Sequence, residues 1–130
     1  MKKPEKLKLK DAMKLIIDTT DRNKLKIGLF VNNNLDFSEF ETQDQSADIL
    51  SKINQVIVKA KIESRDLIAI LVCAGPGSYT GLRVAMAVAN VMAWSLDIPV
   101  LAYNKDELEK VLSQNLDQKF SKIALPDYSN

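Results

Sequence analysis

The sequence predicts an α/β fold in which a three-stranded antiparallel meander is continued by parallel strands with crossover helices, in the order β-β-β-α-β-α-β-α. Three observations carry this. Strand-length apolar segments separated by turn residues fill the first third of the chain, residues 67–73 form an apolar run without a single charge, and apolar residues recur at helical spacing on either side of that run. A charge-free strand is one covered on both faces, which calls for helices on both sides of the sheet.

The folded part is expected to begin at Met13. Residues 14–19 make a short apolar strand that ends in Asp18, Thr19 and Thr20, and Asp21, Arg22 and Asn23 supply a turn. Residues 25–31 alternate Leu25, Ile27, Leu29 and Val31 with Lys26, Gly28 and Phe30, and Asn32, Asn33 and Asn34 form the next turn. Residues 35–41 complete the meander with Leu35, Phe37 and Phe40 as apolar positions. From Ser46 the period changes: Ile49, Ile53, Val56, Ile57 and Ala60 lie on one helical face, with Asp44 or Ser46 as cap, giving a helix of about four turns. The apolar strand 67–73 leads into a glycine loop, a helix over 80–96 and a strand over 98–102 entered through Pro99. A last helix runs from Lys105 to about residue 116, capped by Asn104, with Asp106 and Glu107 in the first turn where acids are favoured. Residues 123–126 form at most a short extended piece. This succession of elements is that of a ribonuclease-H-like or actin-like half-fold.

At 130 residues the chain is one domain, large enough to bury a core without staples. We divide it into a basic extension (1–12), a folded lobe (13–116) and a tail (117–130). The extension holds Lys2, Lys3, Lys6, Lys8 and Lys10 and reads as a solvated tail, with an RNA-touching arm as the alternative. Charge is otherwise balanced, 18 basic against 17 acidic residues, so no strong field argues for nucleic acid as an autonomous ligand. The single cysteine, Cys73, excludes an internal disulfide and sits in an apolar strand, which suits an inert thiol in the cytoplasm. No apolar run approaches the ~20 residues that span a bilayer. Histidine is absent, which removes the commonest general base and transition-metal ligand.

The loop Gly75-Pro76-Gly77-Ser78-Tyr79-Thr80-Gly81-Leu82-Arg83 joins a strand to a helix start, where free N–H groups point outward. It is either an anion-binding loop or a device that seats the helix. A Walker loop needs a lysine before its hydroxyl residue, yet no lysine occurs between Lys61 and Lys105. The dinucleotide pattern fails as well, because Thr80 stands where its third glycine belongs. An anion resting near Ser78 to Gly81, with Arg83 beside it, stays open, but the packing reading is favoured. Asp18 raises a nuclease reading, which the lack of a second carboxylate at the end of strand 67–73 weakens. Ser78, Tyr79 and Thr80 have no histidine or lysine to activate them. We expect no catalytic residue and no metal ligand in this chain.

The helix behind the loop is informative in its own right. Between Val84 and Leu96 only Asn90 and Ser95 are polar, so the outward stripe of a surface helix is missing. A second cover is needed, and in so small a chain another protein is the expected source.

The nine-residue loop, the small-residue helix after it and Ile98-Pro99-Val100 resemble the signature of the TsaB (YeaZ) family, which serves tRNA threonylcarbamoyladenosine synthesis. Residues 13–20 resemble that family's opening strand, and residues 45–50 its first helix start, with Gln45 where a histidine is common. The resemblance implies a noncatalytic scaffold that pairs through its first two helices with a TsaD-like protein, and supports threonylcarbamoyl transfer to adenosine 37 of tRNA. ATP and metal would then sit on that partner, with a TsaE-like ATPase as a further partner and tRNA bound through the complex. The implied partner surface comprises Ile49, Ile53 and Val56 on one helix and Arg83, Met86, Ala87 and Asn90 on the other. The alternatives are a small nucleotide- or phosphate-binding module using the loop, or a protein that self-associates through the same helices. Familiar members have two lobes, and residues 117–130 stand where the second would begin.

Overall fold

The computed structural model describes residues 13–77 and 79–113. The extension, the tail and residues 123–126 lie outside the described residues. Five strands form one mixed sheet in the spatial order β3-β2-β1-β4-β5. β1 (Met13–Asp18), β2 (Lys24–Val31) and β3 (Asn34–Glu41) are the antiparallel meander; β4 (Leu67–Gly75) joins β1 in parallel and β5 (Val100–Asn104) joins β4 in parallel. The β2–β3 turn puts both Asn32 and Asn33 at positive φ, the geometry that matches the twist of a two-residue hairpin and that asparagine tolerates.

Helices α1 (Gln45–Lys59) and α2 (Tyr79–Leu96) cover one face. Asp44 caps α1, accepting from the N–H groups of Ser46 and Ala47, and these bonds with the Ser46 hydroxyl hold its carboxyl below the usual range. Both helices end in a left-handed residue, Lys61 and Asp97, that closes the last turn. Beneath them Leu15, Ile17, Leu25, Ile27, Ile70, Val72 and Val100 pack against Ile49, Ile53, Ala85, Met86 and Ala89. The small residues of α2 that looked so uniform are therefore divided between a buried face and an open one.

The opposite face carries a smaller core of Ile16, Ala69, Leu71, Cys73 and Tyr103 under α3 (Leu108–Leu112). Lys14 is buried at its edge, donates to the Leu112 carbonyl at 3.1 Å, and has its pKa lowered by burial. Two boundaries differ from expectation. The last strand starts at Val100 rather than Ile98, because Asp97 is spent on the helix cap and Pro99 lacks an N–H, offering only its carbonyl to Ile70. The last helix opens as a 3-10 turn (Lys105–Glu107), where Glu107 folds back onto the Asn104 N–H at 3.2 Å, and turns α-helical only from Leu108.

Candidate functional site

The glycine loop is tied to the end of β1 and the start of α1. β4 delivers the chain to Gly75, which adopts φ 123, a value that an L side chain resists. A Cβ on Gly77 would lie 2.6 Å from the Thr20 Cβ and 2.7 Å from its Cα, and one on Gly81 would lie 2.5 Å from Gln45 Oε1 and 2.7 Å from the Thr19 carbonyl. The close approach that these glycines permit is taken up by the chain's own residues. The buried Thr19 hydroxyl donates to the Gly81 carbonyl at 2.7 Å. Gln45 Nε2 faces the carbonyls of Asp21, Lys24 and Thr19 at 2.8, 2.9 and 3.3 Å. Asp18 Oδ1 accepts from both the N–H and the hydroxyl of Thr20.

Pro76, Thr80 and Arg83 are exposed around this junction; Ser78 lies outside the described residues, and Tyr79 is described only as the first residue of α2. The favoured reading of the loop as a seat for α2 thus has a geometric basis. Thr19, Thr20 and Gln45 were not foreseen as the loop's partners, since nothing in their spacing tells which carbonyl each will meet.

On the face opposite α1 and α2, a cleft of about 370 Å³ opens at the same end of the sheet, lined by Asp18, Lys26, Phe37, Glu39, Tyr103, Lys105 and Leu108. Opposite charges alternate around it, and Lys26 stands 3.7 Å from Glu39. Behind it, burial and the Asp18 charge push the Cys73 thiol up to about 11, and burial with its Cys73 neighbour pushes the Tyr103 phenol up as well. Both stay protonated and inert at neutral pH. A larger hollow of about 620 Å³ at the α1 N-terminus is lined by Glu41, by Asp44, which is engaged in the cap, and by Asp48, which is engaged with the Thr42 hydroxyl. Among the described residues no group of three or more His, Cys, Asp or Glu could hold a metal ion, and no helix is long and apolar enough to cross a membrane.

The expected partner surface is divided by the structure. Ile49, Ile53, Val56 and Met86, expected at a partner surface, are at most 7% exposed and pack into the core of this chain. The reason is phase: these residues form the helix faces that point at the sheet. Arg83 and Ala87 are exposed and Asn90 is half-buried. The apolar residues that do face outward on the same helices are Leu50 (60%) and Val58 (63%) on α1, with Val91 (65%) and Trp94 (83%) on α2. Arg83, Ala87, Val91 and Trp94 follow one another at helical spacing in a single stripe.

A five-stranded mixed sheet with this crossover pattern defines the chain as an actin-like half-fold. Likeness to a Bacteroides thetaiotaomicron protein described as having the actin-like ATPase fold agrees (TM-score 0.51, 13% identity, 85% of this chain and 40% of that one). The YeaZ structure from Pseudomonas aeruginosa shares the fold more fully, at TM-score 0.67 and 24% identity over 72% of this chain and 45% of that one. A family model described as "TsaD: tRNA N6-adenosine threonylcarbamoyltransferase" matches residues 39–115. The Bacillus subtilis "tRNA threonylcarbamoyladenosine biosynthesis protein TsaB" is 30% identical over 111 residues, 84% of this chain and 48% of that protein. The chain belongs to this family of threonylcarbamoyladenosine proteins, as a TsaB (YeaZ) member. It spans about half the length of the curated relative that it matches over most of its own length.

Proposed function

We propose that this chain is a noncatalytic subunit in tRNA threonylcarbamoyladenosine synthesis, which pairs through α1 and α2 with a TsaD-like protein and so supports threonylcarbamoyl transfer to adenosine 37. The observation that carries this reading is the exposed apolar stripe Ala87, Val91 and Trp94, with Leu50 and Val58 on the neighbouring helix. A tryptophan left 83% exposed is costly in water and is typical of an interface anchor. The absence of histidine in the sequence and the inert state of Cys73 and Tyr103 favour a scaffold over an enzyme. On this reading ATP and metal belong to the partner, a TsaE-like ATPase joins the complex, and tRNA is bound by the assembly.

Mixing the full chain with the TsaD-like protein of its own source tests this. Association at micromolar concentration should shift the emission of Trp94, the only tryptophan here, to the blue, and Val91→Asp should abolish both the shift and co-elution. Lack of association in the wild-type mixture would overturn the proposal. A homodimer formed through the same stripe in isolation would compete with the heterodimer and dissociate on mixing. The loop as a nucleotide site is the weaker reading, because Gly77 and Gly81 are packed against Thr20, Thr19 and Gln45; calorimetry with ATP and magnesium decides it.

A further inference from the structure

We propose that the cleft beside Asp18, on the sheet face opposite α1 and α2, binds a free α-amino acid with an apolar side chain, its ammonium on Asp18 and its carboxylate on Lys105. The strand register assembles this site. Asp18, Lys26 and Glu39 are neighbours in one row across β1, β2 and β3, and Tyr103 near the end of β5 precedes Lys105 by two residues. The chain leaves β1 towards β2 and leaves β4 towards β5, in opposite directions across the sheet. Open α/β sheets hold small ligands in the crevice at such a divergence, outside the carboxyl ends of the strands. At about 370 Å³ the cleft has room for one.

One buried oxygen in it is left over. Asp18 is 8% exposed, and both bonds it accepts, from the Thr20 N–H at 2.8 Å and the Thr20 hydroxyl at 2.6 Å, end on Oδ1. Among the described residues Oδ2 has no hydrogen-bond partner. Glu39 differs, since Lys24 and Lys26 stand 3.6 and 3.7 Å from its carboxylate. A carboxylate oxygen taken out of water calls for a donor, and a charged donor answers it best. Lys105 brings the opposite charge to the exposed rim and has no ion-pair partner among the described residues. Both groups lie close to the Cys73 thiol, which burial pushes up, Asp18 pushes further and Lys105 draws back.

Charge sets the ligand class. Two acids and two lysines line the cleft, so a polyphosphate would set its negative charge against Asp18, and a simple amine would leave Lys105 unanswered. A zwitterion answers both. Phe37 and Leu108 supply the apolar walls. The Phe37 ring lies over Gly28, where a Cβ would come within 2.8 Å of its Cε1, and it keeps 38% exposure as a flat surface for an apolar side chain.

Titration of the nitrogen-15 full chain with L-phenylalanine tests this. Saturable shifts at millimolar concentration are expected for the amides of Lys26, Phe37, Tyr103 and Lys105, while those of Leu50 and Trp94 stay in place. Phenethylamine, which lacks the carboxylate, and hydrocinnamate, which lacks the ammonium, should each bind about tenfold more weakly or worse. Asp18→Asn keeps the volume and an acceptor for Thr20, and should weaken L-phenylalanine to a similar extent. Lys105→Gln, on the exposed rim, should weaken L-phenylalanine severalfold and leave phenethylamine unchanged, a readout that does not depend on the fold of the Asp18 variant. Absence of saturable shifts with L-phenylalanine in the wild-type chain would overturn the proposal. So would either single-charge analogue binding as tightly as the amino acid, or undiminished binding by Lys105→Gln.

Discussion

Thr19 and Gly81 are joined by a 2.7 Å hydrogen bond from the threonine hydroxyl to the glycine carbonyl, across 62 positions of the chain. The bond fastens the first turn of α2 to the end of β1, and the Cα of Gly81 faces the Thr19 carbonyl in return. Replacing Thr19 by valine keeps the shape but removes this bond, and should cost about 0.5–1.5 kcal/mol in urea unfolding. Gly81→Ala and Gly77→Ala should each cost about 1–3 kcal/mol, because the Thr19 and Thr20 backbone cannot give way as a side chain could. Were the loop instead a ligand cradle held open for a phosphate, Gly77→Ala would leave the stability of the free chain unchanged.

Gln45 is a second fastening. Its amide Nε2 serves carbonyls from Thr19, Asp21 and Lys24, so the β1–β2 turn is held by one side chain from α1. Gln45→Glu would turn a carboxylate towards those carbonyls and should destabilise by about 2–3 kcal/mol at neutral pH, with part of the loss recovered in acid as the carboxyl protonates. Unchanged thermal midpoints across that pH range would show that the amide is dispensable.

The course of the chain was legible from its pattern, and the surface was not. Alternation in 25–31 and the charge-free run from Leu67 to Cys73 report backbone period and depth in the sheet, which are local properties. Asp44, foreseen as a cap, needs only the N–H groups two and three residues ahead. The junction residues Thr19, Thr20 and Gln45 depend on contacts from distant parts of the chain. Which helix residues face outward is hard to read from the sequence for a related reason. On α1 the inward side could be read from Ile49, Ile53, Val56 and Ile57, but on α2 almost every residue is apolar, and only the packing shows that Ala85, Met86, Ala89 and Ala93 turn inward while Ala87, Val91 and Trp94 turn out.

This division has a direct test. Val91→Asp and Trp94→Asp should leave the thermal midpoint of the isolated chain nearly unchanged, within the ±0.5 kcal/mol or so usual for surface changes, while abolishing association with the TsaD-like protein. Ile53→Ala, 3% exposed on the inward face of α1, should instead cost about 2–5 kcal/mol. Loss of binding by Ile53→Ala under conditions where it is fully folded would return that residue to the interface.

Alkaline pH should weaken the fold through the core under α3. In the folded chain the Cys73 thiol holds its proton to about pH 11, whereas the unfolded thiol releases it near pH 9. Between those values the unfolded chain binds fewer protons, so the stabilisation is complete below pH 9 and drains away as pH rises towards 11. Tyr103, raised from 10.0 by burial first and then by Cys73 and Asp18, adds to the same decline. Lys14 acts in the opposite sense. Burial lowers its pKa, so the unfolded chain keeps that proton longer, and raising pH towards 10.5 relieves a penalty. Two groups outweigh one, and the thermal midpoint should fall from pH 9 to 11 in wild type. Cys73→Ala removes one titrating group from this core and should start from a lower midpoint yet descend less steeply; parallel curves for the two proteins would show that Cys73 is not among the groups that set the alkaline limit.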